Sequence, residues 1–126
     1  MKKQAAIRVF ESLSSAIRLD IYRLLVKRGP EGMVAGQIAI ALDLPANNVS
    51  FHLRDMTHAG LVSVAQEGRY QRYRANLPLM RELIGYLTAA CCAGHPEQCG
   101  GLRVDDCSPE ARLSPPPRER NGKLIP

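Results

Sequence analysis

Long apolar runs are the first feature that the sequence lacks. None approaches the roughly 20 residues that a membrane-spanning helix needs. The N-terminus begins Met-Lys-Lys-Gln, as a signal peptide can, but no apolar segment follows, so we expect no export and a cytoplasmic location. Cysteine is also scarce, and none of the four cysteines precedes Cys91. In a chain that is not exported, we expect reduced thiols and not a disulfide framework.

Constellations typical of enzymes are missing as well. The sequence offers no nucleophile paired with a base, no phosphate-binding loop and no paired carboxylates at a useful spacing, so we expect no enzyme activity. The length of 126 residues fits one domain, which can build a core without disulfides or metal.

Positive charge is what the sequence does have, with 17 Lys and Arg against 12 Asp and Glu and a net charge of +5. Residues 1–90 hold twelve basic and seven acidic residues, whereas residues 91–126 hold five of each. The first part therefore carries the whole excess, as a protein that binds phosphates would. A protein that merely happens to be basic explains the charge equally well.

Four helices are predicted in the first half of the chain from the helical spacing of apolar residues. They cover residues 4–13, a segment between Ser14-Ser15 and Gly29-Pro30, about Val34–Leu42, and about 45–59. Ser14 or Ser15 is suited to cap the second helix, and Gly29-Pro30 to end it. Pro45 is expected in the first turn of the fourth helix, and Ala59-Gly60 at its end.

After position 60 the apolar residues no longer recur at helical spacing, and the pattern predicts a β-hairpin. Leu61–Ala65 and Tyr70–Arg74 are the predicted strands, and Gly68 in the turn is available for a positive φ. A last helix is expected after Pro78, ending near Cys91-Cys92. We therefore predict one domain over residues 1–99, and a disordered tail over residues 100–126, where the composition is rich in proline and periodicity is absent.

The predicted order α-α-α-α-β-β-α is mainly α with a β-hairpin, and it contains two short helices joined by a tight turn. The second of these can enter a DNA major groove, which is about 12 Å wide, beside a basic hairpin. The candidate DNA contacts are Asn47, Asn48, Ser50, His52 and Arg54 on the helix, with Arg69 and Arg72 on the hairpin. Each feature alone is equally well explained as a polar helix face and a solvated turn.

Four segments taken in order resemble the arsenic-responsive (ArsR-type) family of repressors. They are Ser15–Leu25, Val49-Ser-Phe-His-Leu53, Ala59-Gly-Leu-Val62 and Glu67-Gly-Arg69, and the resemblance covers about residues 4–92. It implies a winged helix-turn-helix homodimer that binds an operator and leaves it when metal binds. On this match Asn47, Asn48, Ser50 and His52 take the DNA-facing positions of the family.

Dimerisation is also expected from the apolar stripes of the first and last helices. A domain this small has little spare core to cover both stripes, and pairing two copies through these helices would bury them. A twofold dimer also places two recognition helices about one DNA turn apart, which suits a palindromic operator.

Cys91, Cys92 and Cys99 lie within nine residues of each other, and Gly94 and Pro96 between them can turn the chain back. Three thiolates suit As(III) or Sb(III) as the inducer, and no cofactor is expected for DNA binding. The family's best-known cysteine motif near the recognition region is absent, as are Asp and His on the last helix, where zinc-sensing relatives carry them. The spacing resembles a subgroup of arsenic repressors with a C-terminal Cys-Cys and a third cysteine; Cys107 is left outside the site.

Three other interpretations of these cysteines stay open. With His95 they could form a zinc or cadmium site, they could act as a redox switch, or they could be inert. A further alternative is a winged-helix module that binds protein, although such modules can be acidic on the recognition helix, and here helix 45–59 has only Asp55.

Overall fold

A computed structural model describes residues 1–89 of this chain, and the first compact unit covers Met1–Met80. The helices are α1 (Lys3–Leu13), α2 (Ala16–Arg28), α3 (Ala35–Leu42), α4 (Ala46–His58) and α5 (Leu77–Leu87). The strands are β1 (Met33–Val34), β2 (Val62–Glu67) and β3 (Tyr70–Ala75), and a 3₁₀ turn covers Gly29–Glu31. The predicted mainly helical fold with a β-hairpin is confirmed. No helix in the described residues is both long and apolar enough to span a membrane.

The helix ends follow local chemistry. Ser15 caps α2, since its hydroxyl accepts from the backbone N–H of Arg18 at 3.4 Å. Gly29 ends the helix with a φ of +71°, and Pro30 lies in the 3₁₀ turn that follows. Asn76 caps α5, its Oδ1 accepting from the N–H of Leu79 at 3.3 Å. The predicted stop at Gly29-Pro30 is therefore confirmed, and of the two candidate serines Ser15 is the cap.

The core of the first unit joins the helix-turn-helix to its neighbours. Apolar side chains that are almost completely inaccessible come from α1, α2, α3, α4 and the start of the hairpin. They are Val9, Ile21, Leu25, Ile38, Val49, Leu53, Met56 and Leu61. Three of the eight belong to α4, so the buried side of that helix holds it at a fixed orientation.

The sheet has three strands and not the two predicted. β3 is central, with β2 on one side and β1 on the other, both antiparallel to it. β1 comprises only Met33 and Val34, which pair with Tyr73 and Arg72. Two residues are too short to show a period of two, so the sequence pattern gave no sign of this strand. Its effect is to anchor the middle of β3 to the segment before α3.

Gly32 permits this anchoring. Its φ is +65°, and a Cβ at this position would lie 2.6 Å from the carbonyl oxygen of Tyr73 and 2.8 Å from Cγ of Arg74. Only glycine adopts this backbone conformation without strain and lets β3 approach so closely.

Candidate nucleic-acid interface

The turn before α4 fixes where that helix begins. The C-cap of α3 is Asp43, which has a left-handed φ of +54°, a conformation that Asp tolerates better than most residues. Pro45 is the N-cap of α4 and not part of its first turn, and its carbonyl accepts from the N–H groups of Asn48 at 3.1 Å and Val49 at 3.2 Å. Proline suits this position, because its φ of −61° is compatible with the extended N-cap and it needs no hydrogen-bond acceptor.

The side of α4 opposite the core is polar and open to solvent. Asn47, Asn48, Ser50 and Arg54 are all exposed, as the sequence predicts for DNA contacts. The Oδ1 atom of Asn47 accepts from the N–H of Asn48 at 3.1 Å, which leaves the Asn47 amide group available as a donor. Arg54 has no hydrogen-bond or ion-pair partner among residues 1–89. These side chains can therefore reach a ligand without breaking internal contacts.

Phe51 is a candidate contact that the sequence analysis did not select. Its side chain is 63% exposed although it lies on α4 next to Ser50. Its ring meets the His52 ring edge-on, with centroids 5.5 Å apart, so it has a defined neighbour. An exposed aromatic ring on a helix that enters a major groove is able to contact a thymine methyl group. The apolar residue in an otherwise polar face was the only sequence signal for this role.

His52 lies at the edge of the same face and is half-buried. Its Nδ1 atom lies 3.1 Å from Nη1 of Arg18, at the start of α2. Asp55, the one acidic residue of α4, accepts from the hydroxyl of Ser12 at 2.8 Å and lies 3.4 Å from Nε of Arg18. The single negative charge of the helix is therefore compensated by Arg18, although Asp55 remains partly exposed.

The hairpin turn consists of Gly68 and Arg69. Gly68 has a φ of +61°, which confirms the predicted positive φ, and its carbonyl accepts from the Gln66 side chain at 2.8 Å. Arg69 and Tyr70 are exposed at this tip, and in the part of the chain that the structure describes Arg69 makes no hydrogen bond or ion pair. The tip thus offers one free guanidinium and one aromatic ring.

Arg72 has a different environment from Arg69. Its Nε donates to Oε1 of Glu67 at 2.9 Å, and its Nη1 donates to the carbonyl of Glu31 at 3.2 Å. Nε of Arg74 donates to the carbonyl of Pro30 at 2.7 Å. Two of the three hairpin arginines therefore hold the hairpin to the 3₁₀ turn, and the only hairpin acid is paired.

Two adjoining clefts separate α4 from the hairpin, with volumes of about 380 and 270 Å³. Ser50, Gln71 and Tyr73 line both of them, and Arg69 lines the larger. Three of the candidate residues thus border these clefts, namely Ser50, Arg54 and Arg69.

The predicted thiolate site lies outside the described residues, because Cys91, Cys92 and Cys99 all follow position 89. Within residues 1–89, no group of three or more His, Cys, Asp or Glu side chains is placed to hold a metal ion.

Two helices joined by a tight turn, followed by a hairpin that packs beside the second helix, define a winged helix-turn-helix domain. Residues 13–65 match the family described as "Helix-turn-helix domain". No curated protein matches the sequence.

Solved structures extend this likeness beyond the matched segment. An ArsR-like transcriptional regulator from Rhodococcus sp. RHA1 shares 24% sequence identity over 75% of this chain and 86% of its own, with a TM-score of 0.63. A homodimeric winged helix-turn-helix DNA-binding domain from Mycobacterium bovis, a possible ArsR-family regulator, shares 27% over 75% and 83%, with a TM-score of 0.56. A possible transcriptional regulator for arsenical resistance shares 26% over 64% and 83%, with a TM-score of 0.52. The chain is thus similar in sequence and fold to ArsR-type regulators.

Proposed function

We propose that this protein is an ArsR-type transcriptional repressor that binds operator DNA as a dimer and is released when As(III) or Sb(III) binds Cys91, Cys92 and Cys99. The observation that carries the proposal of DNA binding is the polar face of α4. Three buried residues on the opposite side hold this helix in place, and the face has no unpaired negative charge. The metalloid part rests on the sequence.

The recognition helix has the side chains that read base edges. Asn47 and Asn48 have amides of the type that pairs with adenine, and Arg54 can reach guanine or a phosphate. Val49, Leu53 and Met56 are fully buried beneath them, which fixes the direction in which the exposed residues project. Base contacts need such fixed geometry, because each bidentate pair requires two hydrogen bonds at once.

The hairpin supplies contacts of another kind. Arg69 and Tyr70 at the exposed tip can contact phosphates or the adjacent minor groove, which select little sequence but fix the position of the protein on DNA. The net charge of +5 favours the same partner.

The dimer is proposed to form through α1 and α5. On α1, Ile7 and Phe10 are large apolar residues that are 41% and 45% exposed. On α5, Tyr86 and Leu87 are exposed as well. The similar Mycobacterium bovis domain is homodimeric, and a twofold pair of recognition helices would match an inverted-repeat operator.

For release to occur, the metalloid must bind the DNA-free protein more tightly than the DNA-bound protein. The two ligands then weaken each other by the same factor, typically about 5- to 150-fold. In the free protein the cysteines are expected to be thiols, which lose their protons when they bind the metalloid. The affinity for arsenite should therefore rise with pH.

The test is fluorescence anisotropy of the reduced full chain on duplex DNA from upstream of its own gene, titrated with arsenite and separately with zinc. We expect release near stoichiometric arsenite, lost in Cys91→Ser, Cys92→Ser and Cys99→Ser. Cys107→Ser is the matched control and should respond as the wild type does. Tight DNA binding that arsenite leaves unchanged would contradict the metalloid part alone, and absence of DNA binding would contradict the whole proposal.

A further inference from the structure

A polar cluster of Ser12, Arg18, His52 and Asp55 joins three helices beneath the candidate interface. Ser12 at the end of α1 is 4% exposed and is the only buried polar residue in the described part of the chain. Its hydroxyl donates to Asp55 at 2.8 Å, and its carbonyl accepts from Nε of Arg18 at 2.5 Å. Nη1 of Arg18 lies 3.1 Å from Nδ1 of His52. One guanidinium therefore contacts all three other members.

The cluster ties α4 to the corner between α1 and α2 at two positions. His52 and Asp55 are three residues apart, so they lie on the same side of α4. The hydroxyl of Ser15, which caps α2, bonds the backbone N–H of Arg18 at 3.4 Å, so the residue that reaches across is itself fixed at its backbone. The side chain of Arg18 is only 19% exposed, which leaves it little access to a DNA phosphate.

The contact with Arg18 also sets the proton position on His52. A guanidinium has donors and no acceptor, so Nδ1 of His52 must accept while this contact is made. The ring proton is then on Nε2, and that N–H is a donor of the kind that phosphate oxygens accept. Arginine is required for this geometry, because an ammonium group lacks the planar fork that serves three acceptors together.

We propose that Arg18 is a positioning residue for DNA recognition, which acts by holding His52 as an Nε2–H donor toward a backbone phosphate. The inference rests on the proposed DNA binding and adds a residue that is neither among the DNA contacts predicted from sequence nor on the exposed face of α4. Arg18 itself does not contact DNA.

The experiment compares Arg18→Lys with the control Arg23→Lys. Arg23 is an exposed arginine on the same helix that makes no side-chain hydrogen bond or ion pair within residues 1–89. Both variants keep the charge. Affinity is measured at several salt concentrations for the duplex that the wild type selects from a random-sequence library. We expect Arg18→Lys to weaken binding about 5- to 10-fold, as loss of one ordinary hydrogen bond would, with no change in salt slope. Arg23→Lys should bind as the wild type does.

A double-mutant cycle separates positioning from a general loss of structure. If Arg18 acts through His52, Arg18→Lys should weaken DNA binding by less than twofold when His52 is already replaced by alanine. An equal cost in both backgrounds would overturn the proposal, as would a salt slope lowered by about one unit, which would place Arg18 on a phosphate.

Nitrogen NMR of the histidine rings at mildly basic pH gives a readout that does not need DNA. The wild type should show His52 as a single Nε2–H tautomer, and Arg18→Lys should show a mixture; His58→Gln and His95→Gln assign the signals. An unchanged tautomer would overturn the proposal. If the wild type selects no duplex, the proposed function fails together with the recognition role, while the tautomer still reports whether Arg18 holds His52.

Discussion

Arg69 and Arg72 are three residues apart on one hairpin, yet replacing each with alanine should have different consequences. Sequence analysis assigns both to DNA contacts. In the structure Arg69 is exposed and makes no hydrogen bond or ion pair within residues 1–89, whereas Arg72 donates hydrogen bonds to Glu67 and to the carbonyl of Glu31. The first variant removes a free charge, and the second removes contacts that hold the hairpin in place.

The magnitudes follow from those contacts. For Arg69→Ala, loss of one phosphate contact should lower the slope of log K against log salt by about 0.9, with stability unchanged within about 0.5 kcal/mol. For Arg72→Ala, two hydrogen bonds at about 1 kcal/mol each, reduced for 25% side-chain exposure, predict a loss of about 1–2 kcal/mol in the free energy of unfolding. Its salt slope should change less, because Arg72 is engaged by internal contacts and is not free for a phosphate, although the Glu67 carboxylate that the substitution leaves unpaired should weaken DNA binding.

The assay combines anisotropy at four salt concentrations with urea unfolding of the same preparations. Glu67→Gln is the matched control for Arg72, since it breaks the ion pair and leaves the arginine charge free. It should therefore raise the salt slope while lowering stability slightly. An Arg72→Ala protein that unfolds at the wild-type urea concentration and loses as much slope as Arg69→Ala would refute this reasoning.

Three other substitutions test separate parts of the structure. Gly32→Ala should destabilise the domain by about 1–3 kcal/mol in urea unfolding, because the new Cβ would meet the Tyr73 carbonyl at 2.6 Å and Cγ of Arg74 at 2.8 Å. Tyr22→Phe should stabilise by about 1 kcal/mol, because the Tyr22 hydroxyl is buried with no partner in the described residues. Burial raises the pKa of Tyr22, so the unfolded chain loses the Tyr22 proton at a lower pH than the folded protein does. The wild-type free energy of unfolding should therefore fall as pH rises past about 10, and Tyr22→Phe should lack this part of the pH dependence. Phe51→Ala should abolish a preference of about 1 kcal/mol for thymine over deoxyuracil in the selected duplex, measured by anisotropy.

The helices and the hairpin were predictable because their signals are local. An apolar stripe such as the one that ends in Leu53 and Met56 predicts both the helix and the side of it that is buried, and Gly68 predicts the turn. The bounds of the first four helices and of the two hairpin strands shifted by only one or two residues, whereas α5 begins at Leu77, before Pro78, and ends at Leu87 instead of near Cys91. Pro45 moved from the first turn to the N-cap because both positions accept its fixed φ, so sequence alone does not separate them.

What the sequence did not show depends on contacts between distant positions. Glu31, whose carbonyl binds Arg72, lies 41 residues before it, and Arg18 and His52 are 34 residues apart. A basic residue on a hairpin has the same local pattern whether it points to solvent or to a carbonyl. The division of the candidate arginines into free and engaged side chains therefore required the fold.

The ion pairs of Asp55 and Glu67 matter more for the electrostatics of the candidate interface than for the stability of the fold. Partly exposed ion pairs contribute little to folding, typically below about 1 kcal/mol. An unpaired carboxylate on a DNA-facing element, however, would repel every phosphate that passes it. Asp55 on α4 and Glu67 on the hairpin are each paired with an arginine that is also held by backbone carbonyl groups. Arg54 and Arg69 are thereby left with positive charges that neither Asp55 nor Glu67 compensates.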